Sequence, residues 1–245
     1  MKRHLYTGLG ILTMLILWQV VASVSGNDFY LPVPLNVGRT LFKILGEIDT
    51  YIVLFTSLSR LLTSLFVACF LGVGFGITGG MSFCFDAYAR PFVSGLRSVP
   101  VISLVVIILI LFGNVLTVYI IGFLVVFPLM YEASKEGVRN IDSGIQDALR
   151  IEPLNLPVLM MKQIVPLALP YIKTGILQSV GLGFKVLVMS EFIAQSETSI
   201  GRMLYEGRIM LAYDEVFAWT LLIVFIVFLI EHTLNRFKPA ALDSV

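Results

Sequence analysis

Charge is what this chain has least of. Lys, Arg, Asp and Glu make up 13% of its 245 residues, where a soluble domain carries roughly 25%. No acidic or basic run is long enough to form a solvated tail or a nucleic-acid patch, so no nucleic-acid partner is expected. Histidine occurs only at His4 and His232, which excludes an HExxH metalloprotease. No GxSxG elbow is present, and a serine such as Ser94 has no evident base. The dipeptide Gly-Lys is missing, so there is no P-loop, and any ATP chemistry must belong to another polypeptide. The two cysteines, Cys69 and Cys84, have neither CxxC nor metal-ligand spacing; no metal site and no catalytic residue are expected. Apolar residues are abundant instead, at 58%, with mean hydropathy +0.93. The chain reads as an all-α, polytopic membrane protein embedded in a lipid bilayer.

A spanning helix needs about 20 predominantly apolar residues. Six runs approach that length, at 5–24, 56–79, 92–112, 115–130, 166–189 and 217–232, the fourth continuing toward Gly137. The first has a rival reading as a cleaved signal peptide, because KRH precedes it and Ser23 and Ser25 come before Gly26; its length favours a retained span. Between the first two runs, Pro32 and Pro34 break helix, and Leu41, Ile44, Leu45 and Ile48 then recur at helical spacing. That segment is either an interface-lying amphipathic helix or a connecting helix packed on the bundle.

Orientation follows from Lys and Arg near the span ends. With the N-terminus in the cytoplasm, most of the 17 basic residues lie inside, Arg39, Lys43, Arg60, Arg202 and Arg208 lie outside, and Lys185 is left within a span. Six spans place both termini in the cytoplasm. The organisation is then an N-terminal span with external connector over 1–50, a transmembrane core over 51–236 and a cytoplasmic tail over 237–245. The largest cytoplasmic loop, about 137–165, separates spans four and five.

That loop contains two short helix signals. Ser143 with Gln146 forms a capping box, opening a helix through Asp147, Ala148, Leu149 and Arg150 that Glu152-Pro153 stops. Asn155 then offers an N-cap with Pro157 in the first turn, for a second helix over 156–162. Leu156, Leu159, Met160 and Gln163 share one face of it, an apolar knob on the polar side of the membrane that calls for a partner's groove.

Here the chain resembles the membrane permeases of binding-protein-dependent ABC importers, type I fold, in the branch associated with nitrate, sulfonate, taurine and bicarbonate. The resemblance extends roughly over 58–236 and includes SLSRLLTSLFVACFLGVGFGITGG, ARPFVSGLRSVPVISLVVIILILFG, GVRNIDSGIQDALR, IVPLALPYIKTGI, KVLVMSEFIA and SIGRMLYEGR. The family carries a cytoplasmic EAA loop, Glu-Ala-Ala, three residues, Gly, nine residues, then Ile-x-Leu-Pro, which docks on the ATP-hydrolysing subunit. Anchored on Pro166, the motif falls on Asp147, Ala148 and Leu149, with Pro153 at the glycine, Gln163 at the isoleucine and Val165 at the leucine. Asp keeps the carboxylate; Pro153 replaces a flexible turn by a rigid one. Glu132-Ala133-Ser134 looks closer to the motif but is out of register.

The resemblance implies a transport subunit of an importer in the bacterial inner membrane. It implies an ATP-binding cassette partner holding ATP and Mg, an external solute-binding protein meeting the segments 26–50 and 196–214, and a homodimer of this chain. Two alternatives stay open: the transmembrane component of an energy-coupling-factor vitamin importer, and a non-transport scaffold. For the translocation path the candidates are Ser98, Pro100, Ser103, Lys185, Met189 and Glu191. A mid-span lysine usually faces a bundle interior or a wet cavity; a structural ion pair with a neighbouring helix is the plainer alternative. Pro100 and Pro128 are expected to kink spans three and four. The glycines Gly72, Gly74, Gly76, Gly79 and Gly80 suit close helix packing.

Overall fold

The computed structural model describes residues 2–26, 31–142, 144 and 156–236. Its elements, in order, are α1 (Lys2–Ser25), α2 (Pro34–Leu45), α3 (Ile48–Met81), α4 (Phe83–Ser98), α5 (Val101–Arg139), α6 (Leu156–Leu159), a π-helical turn (Met160–Ile164), α7 (Val165–Ala194), α8 (Ile200–Ile209) and α9 (Tyr213–Arg236). Among the described residues there is no strand. Among them, five helices are long and apolar enough to cross a membrane: α1, α3, α5, the rod from Lys162 through α7, and α9.

Helices α3, α5 and α7 form the centre, α5 packing broadly on both of the others. Small residues make this possible. A Cβ on Gly72 would sit 2.6 Å from the Met130 Cβ, and one on Gly76 would sit 2.5 Å from the Tyr131 carbonyl oxygen, so α3 and α5 touch backbone to side chain. Gly175 of α7 meets Ala133 in the same way. Gly74 faces open space and takes no part.

α5 is not one span. Straight, 39 residues would reach about 58 Å at 1.5 Å per residue, twice the roughly 30 Å hydrocarbon layer. Gly113 breaks it, with φ 73° and ψ 179°, a region open to glycine and costly to other residues. The chain turns back there. Val105 and Ile121 share one apolar cluster with Val186, and Arg97 and Leu129 line the same groove, which only an antiparallel pair of arms permits. The path therefore crosses as α1, α3, the 101–112 arm, the 114–139 arm, α7 and α9.

This corrects the expected third span. Residues 92–98 belong to α4, and Pro100 stands at the break before α5, where its missing N–H costs nothing, rather than inside a kinked helix. Pro128 does lie inside the 114–139 arm, buried. A second correction concerns the helix expected over 156–162. α6 instead runs through the π turn into α7 with no gap, and Pro166, which lacks an N–H to close a regular turn, follows that wider coil directly. The proline-led connector packs on the bundle: α2 buries Val37 and Ile44 and contacts α9, where Thr40 donates to the Asp214 carboxylate at 2.7 Å, while Leu35 and Phe42 stay exposed. Ile48 begins α3 instead of completing α2. α1 is the most peripheral helix, held by buried Ala22 and by Trp18 stacked on Phe217 at 5.7 Å.

Candidate functional site

Three features distinguish the bundle: a polar face on α7, and one charged cluster at each end. The loop end is the one where α5 finishes at Arg139 and α6 begins; the opposite end carries α2, Gly113 and α8.

α7 is the most enclosed span, with 56% of its apolar window buried against 6% for α1. Yet Tyr171, Gln178, Leu182 and Lys185 are exposed and Thr174 is half-buried. Their spacing of three and four residues puts them on one stripe. At the loop end this stripe joins Arg97, Leu129, Glu132, Ala133 and Glu136 around an open groove of about 540 Å³. Lys185 has no hydrogen bond or ion pair among the described residues. Met189, one turn on, is half-buried and packs with Val101, Leu104 and Ile108 against the Val105–Ile121–Val186 cluster. Ser103 is exposed on the 101–112 arm, and the Ser98 hydroxyl donates to the Gly95 carbonyl at 3.0 Å, closing α4.

Glu191 does not join that face, contrary to expectation. It is 0% exposed. Ser57 donates to its carboxylate at 2.9 Å, Arg60 Nη1 at 3.0 Å and the Gly201 N–H at 3.3 Å. Arg60 Nη2 also donates to the Glu197 carbonyl at 3.0 Å, and the Ile200 N–H donates to Ser57 Oγ at 3.0 Å. One acid thus ties α3, α7 and the start of α8 together, a buried pair whose remaining lone pairs are satisfied. Gly201 lies against the Glu191 backbone where a Cβ has no room.

The loop-end cluster centres on Asp86 in the first turn of α4. Tyr131 donates to it at 2.9 Å, Arg139 at 2.8 Å and Lys135 at 3.2 Å. Lys135 also pairs with Glu132 at 2.7 Å and lies over the Tyr131 ring. Burial pushes the Asp86 carboxyl up, but the three hydrogen bonds and the Lys135 charge outweigh it and hold it below the usual carboxylate range.

Sequence reasoning overlooked Asp86, Tyr131, Ser57 and Arg60. A usable signal was there: Asp86 is the only acid between Asp49 and Glu132, and Arg60 is the only charged residue in the apolar run 56–79. Within the expected coupling set, Asp147, Ala148, Leu149, Arg150, Pro153 and Asn155 lie outside the described residues. Leu156, Leu159 and Met160 fall in α6 and the π turn.

The model of binding-protein-dependent transport system inner membrane components matches residues 72–238, more than half of the chain. The chain belongs to that family. Curated relatives agree with this assignment. The permease is 29% identical over 244 residues to the taurine transport system permease protein of Escherichia coli strain K12, covering 94% of this chain and 86% of that one. It is 28% identical over 211 residues to the bicarbonate transport system permease protein of Synechococcus elongatus, covering 81% and 75%. It is 25% identical over 195 residues to a nitrate import permease protein of Synechocystis, covering 75% and 70%. The permease is accordingly a multi-pass inner-membrane protein and a transport subunit, and its family works with an ATPase and a solute-binding protein.

Proposed function

We propose that the permease forms the path of an ATP-driven importer for a small solute bearing an anionic group, as two identical copies whose α7 faces enclose the path. The loop end and both termini are cytoplasmic, in keeping with six crossings. ATP and magnesium belong to the partner ATPase, which grips the loop around 137–165; this chain supplies no catalytic group and binds no cofactor. The opposite end, with α2 and α8, receives the binding protein.

The exposed polar stripe on the most enclosed helix carries this reading. Hydrocarbon would not cover Tyr171, Thr174, Gln178 and Lys185 without cost, so water and a second copy suit that face better than lipid. Lys185, with no hydrogen bond or ion pair among the described residues, would draw an anion inward, and the solutes named for the relatives, bicarbonate, nitrate and taurine, all carry an anionic group. Met189 borders the same side, Ser98 and Pro100 follow Arg97 near its loop-end mouth, and Ser103 is exposed on the adjoining 101–112 arm.

Reconstitution tests the assignment. In vesicles with the cognate ATPase and binding protein, Lys185→Met is expected to assemble normally while uptake of labelled taurine, nitrate or bicarbonate, whichever the wild type moves, falls about tenfold. Lys185→Arg keeps the charge and should retain most uptake. Wild-type uptake by an assembled Lys185→Met complex refutes the path assignment.

A further inference from the structure

α4 is a thinly buried helix at the loop end. Only Asp86 and Val93 are buried in it. It passes around the base of the 114–139 arm, from Asp86 on the side of Tyr131, Lys135 and Arg139 to Arg97 in the groove beside Glu132 and Glu136. After Arg97 the chain crosses the Val99-Pro100 break straight into the 101–112 arm, which packs on α7 at Met189. One end of α4 is therefore fixed to the last turns of the helix that enters the loop, and the other end meets the path.

The three donors on Asp86 recur every four residues along α5, so the carboxylate grips two full turns of that helix. Such charge-assisted bonds are stronger and more directional than neutral ones. Besides these bonds α4 has buried Val93 and the stacking of Phe85 on Phe75 of α3; it is the ion pairs that fix it to α5. We propose that Asp86 is a positioning residue for coupling: it locks α4 to the base of the loop-bearing helix, so that movement driven by the ATPase at the loop reaches Arg97 and the 101–112 arm. This rests on the transport reading above and names the link within it.

The test uses the whole complex, this chain with its ATPase subunit in phosphatidylethanolamine and phosphatidylglycerol vesicles, and the cognate binding protein as purified from cells. The readout is the ratio of ATP hydrolysis with binding protein to hydrolysis without it, per assembled complex. Asp86→Asn keeps size but loses the charge; the ratio is expected to fall about tenfold at unchanged assembly, as expected for lost bonds to a charged group. Asp86→Glu should recover part of it. Arg139→Gln removes only the donor with a half-exposed side chain, 45% accessible, which does not threaten folding, and its ratio should fall about threefold.

A wild-type ratio in Asp86→Asn overturns the proposal. So does loss of assembly in Asp86→Asn with a wild-type ratio in Arg139→Gln, since the cluster would then be a folding clasp. If the wild-type complex itself gains nothing from its binding protein, the failure is of the transport reading, and it shows before any variant is compared.

Discussion

Replacing Arg60 by Met removes the cation that pairs with Glu191 among the described residues and leaves a similar volume. The carboxylate is fully enclosed and keeps only the Ser57 hydroxyl and the Gly201 N–H as donors. Stranding one member of a buried pair costs about 3–5 kcal/mol; with two donors remaining, the lower end, about 3 kcal/mol, is expected. For a chain of this size each kcal/mol moves the midpoint about 2–4 °C, so the melt should shift down by about 6–12 °C. The double variant Arg60→Met with Glu191→Gln supplies a neutral group that still accepts from Ser57 and Gly201, and it should melt above Arg60→Met alone. That non-additivity is the signature of a coupled pair. Thermal unfolding of the detergent-solubilised protein, followed by tryptophan fluorescence from Trp18 and Trp219, reads both values. An Arg60→Met midpoint within about 1 °C of wild type, or strict additivity, refutes the assignment of Glu191 as an enclosed, charge-paired clasp.

Asp86 should give a pH signature. Its folded carboxyl lies below the usual value, so its contribution is complete above the unfolded value of about 3.9 and disappears as pH falls through the folded one. The gap in midpoint between wild type and Asp86→Asn should be constant from pH 7 to about 5 and close at lower pH; a gap that persists unchanged at about pH 2 contradicts the cluster. Gly76→Ala should lower the midpoint sharply, its Cβ meeting the Tyr131 carbonyl oxygen and Ser134, whereas Gly74→Ala, with nothing within 4 Å, should be neutral or stabilising by up to about 1 kcal/mol; equal effects on thermal melts would discredit the described α3–α5 contact. Leu156→Asp with Met160→Asp would put carboxylates into an apolar groove at a cost of a few kcal/mol and should release the ATPase in a pull-down without loss of membrane insertion; undiminished co-purification rejects docking through this segment.

The spans were legible wherever apolar length alone decides, as for α3, α7 and α9. The third span was not, because 92–112 is apolar enough to hide the end of α4, a break at Val99-Pro100 and a short rising arm. Hydropathy averages over those turns, and Gly113 reads as one glycine among many until its positive φ is seen. In the site, Lys185 was visible as a charge deep in a span, and the structure leaves it exposed on the polar stripe. Glu191 looked equivalent, but its role depends on Arg60, 131 positions away in sequence, a pairing that periodicity cannot reveal. Asp86 and Tyr131 were missed for the same reason, their meeting being a product of how tightly Gly79 and Gly80 let α3 approach α5.

The turn at Gly113 also bears on biosynthesis. The helical part of this crossing, 101–112, is about 18 Å long at helical rise and reaches across only together with the extended Val99-Pro100 break, too short a helix to partition into a bilayer alone. The 114–139 arm is long enough. The two must therefore enter the membrane together as a hairpin, the longer arm carrying the shorter one, with the reversal at Gly113 formed while both still face the insertion machinery. A β-branched residue at 113 would resist that turn, and the nascent chain would then favour one straight transmembrane segment, delivering everything after it to the wrong side.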